Sequence, residues 1–385
     1  MVGAVAAVYA WAVVVSTFSS PGAIGLNYNA PGSDYMVFHT AVLLALRGNL
    51  ATLYDPDSFT ALLNQVFHGY LSSDLEFRPW IYPPSFLLLL VPFGLVGFGL
   101  SYGLFQAVTA VAMLAGLRAT VEPPAAWIGF GALLCPAASI SVVSGQSSFL
   151  IVALLAAGAG LLERRPVLAG LIFGLLSFKP QFFLMVPVVL LARPRWRASA
   201  AAAATALAMA GFCLLWLGPG IWTGWFGAIT RSTSGVDPRW FLFGRIWGES
   251  VYACAYLLGA SPGAAETLQI GAITLAGTAV WVSYRIPLAP APRTAVLLAA
   301  TLLSAPHSGA YDLLLLVVAS LLFLSHLGPR ASSQDRIIGL LVWLAPLLGL
   351  PALSVPGRFC PVLTLALMGR ILWHVRAPRL IAQEA

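Results

Sequence analysis

The chain has 385 residues, 59% of them hydrophobic and only 9% charged, with a formal net charge of +7. That balance lies far outside the soluble globular range and predicts an all-α, polytopic integral membrane protein. The positive excess is almost all arginine in short segments between apolar runs, which the positive-inside rule explains more simply than nucleic-acid binding does.

The chain opens on "MVGAVAAVYAWAVVVSTFSS", apolar but without a basic n-region, and reads as a retained first helix rather than a cleaved signal. Apolar runs then predict helices near 4–18, 100–118, 125–143, 147–162, 166–178, 181–192, 198–217, 266–284, 294–305, 310–326, 337–350 and 358–375, about twelve transmembrane helices. "YPPSFLLLLVPFGLV" and "SVYACAYLLGA" are too short for confident spans and read as interfacial or re-entrant pieces. Residues 1–385 form one integral membrane domain.

With a cytoplasmic N-terminus, twelve spans put Arg118, Arg164, Arg165, Arg193, Arg195, Arg197, Arg285, Arg293, Arg330, Arg336, Arg370, Arg376 and Arg379 inside, thirteen of the twenty basic residues. A full span at 83–97 would flip every later loop. Two large segments then lie outside: a first external loop at 19–82 carrying amphipathic, interfacial helices, and a second at 218–249. An enzyme has more use than a carrier for a first loop of that size.

Within the first loop, "DYMVFHTAVLLAL" places Tyr35, Phe38, Val42 and Ala45 on one side at helical spacing, as in a helix lying on the bilayer. Asp34 stands at its head, where an N-cap role and a functional carboxylate are both open. Lys179, in "SFKPQ", is the only lysine. A charge between two apolar half-helices either lines a polar cavity or snorkels to the interface.

Arg78, Arg245 and His307 are further outer-side basic candidates, with interfacial anchoring the alternative for Arg245. Asp312 opens a helix in "SAPHSGAYD", where the dipole favours a carboxylate in any case, and Gln146 in "SGQSS" is either a sugar-binding amide or a cap. Asp55 and Asp57 spell a DxD, but Asp55-Pro56 is a turn signature. No metal and no cofactor are expected: there is no His/Cys cluster, and Cys135, Cys213, Cys254 and Cys360 have no paired spacing.

Taken in order, "SDYMVFHTAVLLALRGNLATLYD", "FRPWIYPPSFLLLLVPFGL", the GQ and KP block from "VSGQSS" to "RPRWRA", and "LLSAPHSGAYDLLLLVVASLL" resemble the successive motifs of glycosyltransferase family 87 (DUF2029). The resemblance implies a GT-C fold similar to mycobacterial polyprenol-phosphate-mannose-dependent mannosyltransferases. It implies transfer of a hexose or pentose, mannose first, from a polyprenyl-phosphate sugar to a glycolipid or glycan acceptor at the outer face of a bacterial plasma membrane. The essential aspartate of such enzymes maps onto Asp34, as general base. Lys179 of the KP match, Arg245, His307, Asp312, Gln146, Arg78 and Tyr82 of the YPP motif are the expected donor-phosphate and substrate residues. The late motif departs from the family's Ser-Trp and paired histidines, which weakens a histidine-based role there. A transporter or lipid flippase, or a noncatalytic envelope scaffold, is the competing reading; no repeat of one half in the other supports the former.

Overall fold

The computed structural model describes residues 2–19, 31–121, 126–234, 237–241, 248–348 and 359–381. These residues form helices and no strand. The first is α1 (Val2–Ser19), followed by α2 (Ser33–Leu46), α3 (Pro56–Phe67), the short α4 (Ser85–Gly94) and α5 (Phe98–Arg118). Next come α6 (Ala126–Leu134), α7 (Pro136–Ser144), α8 (Ser148–Leu161) and α9 (Pro166–Leu175), a 3-10 turn at Leu176–Phe178, then α10 (Pro180–Phe183), α11 (Met185–Ala192) and α12 (Trp196–Leu217). The last third holds α13 (Gly220–Thr233), α14 (Pro238–Phe241), α15 (Val251–Leu257), α16 (Pro262–Arg285), α17 (Pro290–Ser304), α18 (Leu314–Leu327), α19 (Ser333–Leu348) and α20 (Cys360–Ile381).

Three described helices are long and apolar enough to cross a membrane, Phe98–Arg118, Trp196–Leu217 and Ala310–Arg330, the last starting in a 3-10 turn. The run predicted as one helix at 125–143 is bent by 54° between α6 and α7. Pro136 is the cause: it begins a new helix because its ring and missing N–H cannot continue the old one. Prolines also open α9, α10, α16 and α17. Most of the remaining predicted spans are therefore shorter apolar helices, and α4, at 10 residues, runs only ~15 Å.

The helix carrying Asp34 departs from expectation. The α2 helix is not laid on a surface: Tyr35, Met36, Val37, Phe38, His39, Thr40, Ala41, Val42, Leu44 and Ala45 are all buried. Both of its faces are apolar or aromatic, so it is enclosed by α4, α5 and α7. The amphipathic helix of this region is α3, which buries Phe59, Leu63 and Phe67 at helical spacing.

The bundle is centred on α8, which touches α5, α9, α17 and α18. Close approach of α9 to α12 depends on Gly170 and Gly174, one turn apart, facing Ala198 and Ala202. A Cβ on Gly174 would stand 2.6 Å from the Ala202 carbonyl oxygen. Two connections and the start of α17 also meet: Glu163 after α8 pairs with Arg195 at 2.5 Å and with Arg293 at 3.4 Å. At the opposite end of α8, Ser148 donates to Asp312 at 3.0 Å. The 14 residues of α8 put these two ends ~21 Å apart.

Candidate active site

Two positive-φ glycines shape the junction that presents Asp34. Gly32 (φ 71°) caps α2 and donates its N–H to the Val143 carbonyl at 2.7 Å, tying the start of α2 to the end of α7. Gly145 (φ 78°) ends α7, and a Cβ there would meet the Tyr35 Cβ at 2.5 Å, so only glycine lets the two helices touch. Below them, the Tyr35 hydroxyl hydrogen-bonds Ser101 Oγ at 2.6 Å, and Tyr102 donates to the Val142 carbonyl.

Asp34 is therefore not the cap. It sits in the first turn, and its carboxylate accepts from Gln146 Nε2 at 2.8 Å, across 112 residues of sequence. Gln146 is itself held: its Oε1 accepts from the Ser147 N–H (3.3 Å), and its carbonyl accepts from Gln106 Nε2 (3.2 Å). Burial pushes the Asp34 carboxyl above its usual range. The Arg78 charge, the Gln146 hydrogen bond and the Lys179 charge oppose that rise, and the Asp312 charge adds to it.

Lys179 does not snorkel. The turn between the Leu176–Phe178 segment and Pro180 delivers it inside the protein, 4% exposed, with Nζ 3.6 Å from Asp312 Oδ1. Its ammonium lies 4.7 Å from the Phe182 ring centroid and 5.9 Å from that of Tyr311. Asp312 also accepts from Ser148 Oγ and from the Gly309 N–H (3.1 Å), so both its oxygens are engaged. Tyr82 packs its ring on Phe38, Trp80 and Phe86. Its hydroxyl is pushed up by burial and by the Asp34 charge.

Six sequence-predicted residues thus share one electrostatic neighbourhood: Asp34, Arg78, Tyr82, Gln146, Lys179 and Asp312. His307 is exposed on the loop before Asp312. Arg245 lies outside the described residues. Ser148 and Tyr311 were missed, although both stand in quoted motifs, next to residues chosen for their charge or amide. Asp55 and Asp57 have other uses: Asp55 caps α3 by accepting from the Ser58 N–H (2.8 Å), and Asp57 pairs with Arg239 at 2.6 Å. Asp55 thus both closes a turn, its N–H donating to the Thr52 carbonyl at 3.3 Å, and starts a helix.

Among the described residues, an all-helical apolar bundle with a buried carboxylate held by an amide, beside a lysine–aspartate pair, defines a membrane-embedded protein with a polar centre. The model of glycosyltransferase family 87 matches residues 80–306, more than half of the chain, and the protein belongs to that family of membrane glycosyltransferases. The match holds Tyr82, Gln146 and Lys179, while Asp34, Arg78 and Asp312 are brought to them by the fold. No curated protein and no solved structure matched the chain.

Proposed function

We propose that the protein moves a hexose or pentose, mannose first, from a polyprenyl-phosphate sugar to a hydroxyl of a glycolipid or glycan at the outer face of the plasma membrane. The observation that carries this reading is the buried Asp34 carboxylate, hydrogen-bonded to Gln146 and set in the fields of Arg78 and Lys179. In the step, the acceptor oxygen bonds to the anomeric carbon while the bond from that carbon to the phosphate oxygen breaks. The hydroxyl proton passes to Asp34, and polyprenyl phosphate leaves with the bonding electrons. Attack opposite the leaving group inverts the anomeric centre. Arg78 and Lys179 offset the charge that grows on the departing phosphate.

The donor needs cations and an apolar approach; the acceptor needs hydroxyl partners. A groove of about 740 Å³ on the polar face of α3, with Asp57, Asn64, Gln65, His68, Glu76 and Arg239 on its walls, supplies carboxylates and amides for the latter. Glu76 and Phe77 of that groove are followed directly by Arg78 of the site. The twelve predicted spans, some as broken helices, complete the reading, with 19–82 and 218–249 outside. Purified protein given synthetic polyprenyl-phosphate mannose and extracted membrane lipids is expected to form a new glycolipid with polyprenyl phosphate as co-product. Asp34→Asn is expected to abolish that product while donor binding persists. Full transfer by this variant would remove Asp34 from the mechanism.

A further inference from the structure

At the other end of α8, the structure gathers three arginines near a single carboxylate. Arg195 and Arg293 share Glu163. Arg193 reaches the Arg285 backbone carbonyl at 3.5 Å and keeps its exposed side chain at the rim of the same cluster, while the Arg285 guanidinium lies over the Trp281 ring at 4.8 Å. Glu163 lies between α8 and α9, Arg193 and Arg195 lie between α11 and α12, and Arg293 lies in the first turn of α17. Orienting a chain in a bilayer requires their charges but not their convergence.

Three buried donors in this cluster have no hydrogen-bond partner: Arg195 Nε, Arg293 Nε and the Tyr284 hydroxyl. Tyr284 is 2% exposed, and the Arg293 guanidinium carbon lies 5.4 Å from its ring centroid. Buried donors are ordinarily satisfied, and three orphans beside one overdrawn carboxylate mark a place for an acceptor with several oxygens. Arginine, planar and weakly hydrated, matches a phosphate in geometry and charge. The side chains of Arg195 and Arg293 remain 16% and 14% exposed, so a ligand can reach them.

We infer that this cluster is a binding site for a phosphate anion, either the headgroup of an anionic lipid at the bilayer surface or a free phosphate. It is remote from Asp34 and does not depend on the reading of that site.

The full-length protein is tested in two arms. In detergent, thermal unfolding is followed with inorganic phosphate against chloride at equal ionic strength. In nanodiscs of phosphatidylcholine with phosphatidylglycerol, native mass spectrometry reads the lipid retained after release. Stabilisation by phosphate alone assigns a soluble ligand; selective retention of phosphatidylglycerol assigns the headgroup. In either arm, R195Q/R293Q should weaken binding at least tenfold. Tyr284→Phe, which removes one oxygen without changing the packed ring, should weaken it several-fold with the fold intact. If the wild type prefers neither phosphate to chloride nor phosphatidylglycerol to phosphatidylcholine, or if both variants bind as it does, the site does not exist.

Discussion

In the proposed reaction Asp34 must be ionised when the acceptor arrives, in a place that disfavours the charge. Because burial raises its pKa, the acid limb of kcat/KM should climb at a pH above the usual aspartate value of 3.8. The Gln146 amide favours the ionised form, so Gln146→Ala should move that limb to still higher pH; a pH–rate profile showing no shift, or a shift downward, would contradict the assignment. The linkage has a matching sign. A carboxyl whose folded pKa is raised binds its proton more tightly folded than unfolded, so ionisation costs stability, a cost absent below the unfolded pKa and complete above the folded one. At neutral pH, Asp34→Asn is thus expected to lower transfer by ~10²–10⁴-fold while its unfolding temperature holds or rises. Asparagine caps a helix about as well as aspartate, so loss of transfer with stability kept separates catalysis from capping.

Lys179 and Asp312 follow different arithmetic. Removing one partner strands the other's charge, so Lys179→Met should cost about 3–5 kcal/mol. The double variant K179M/D312L should regain much of that stability without regaining transfer, as denaturant unfolding beside an activity assay would show. Wild-type stability in Lys179→Met alone would mean that the lysine is not held in this pair.

At the level of elements, what was legible in the sequence depended on range. Apolar runs located α1, α5 to α12 and α16 to α20, because hydrophobic burial acts locally and periodically, but not the more polar α3, α13 and α14. Proline positions foretold turns, and the break at Lys179 was visible in "SFKPQ". The environment of α2 was not visible: a face of Tyr35, Phe38 and Val42 is the same string whether lipid or protein covers it. Nor was the Asp34–Gln146 bond, which joins helices 112 residues apart through two left-handed glycines. Asp34 stood out only by its resemblance to a family motif, whereas the fold gives it a partner. The junction itself can be tested. Gly145→Val forces a branched side chain into positive φ and into Tyr35, so it should impair transfer far more than it reduces expression. Gly174→Leu should push α9 from α12 and cost ~1–3 kcal/mol in unfolding assays, because the Ala202 carbonyl cannot move away from a side chain there.

For the whole molecule, the polar and arginine ends of α8 give a direct test of orientation. All four native cysteines, Cys135, Cys213, Cys254 and Cys360, are buried. Single cysteines introduced at exposed Gln65, on the α3 groove, and at exposed Arg164, after α8, can therefore be labelled cleanly in intact cells and in inverted vesicles. Gln65→Cys is expected to react with an impermeant maleimide from outside and Arg164→Cys only from inside; the reverse pattern would invert the proposed topology.

The shortness of α8 bears on the membrane as well as on the enzyme. A typical hydrocarbon layer is ~30 Å thick, some 9 Å more than this helix spans. Because α5 and α12, at 21 and 22 residues, are long enough to cross that layer, the shorter central α8 ends inside the thickness they span. On the proposed reading the donor must reach that recessed end, so turnover is expected to depend on lipid thickness: reconstituted in bilayers of increasing acyl length, the protein should lose turnover.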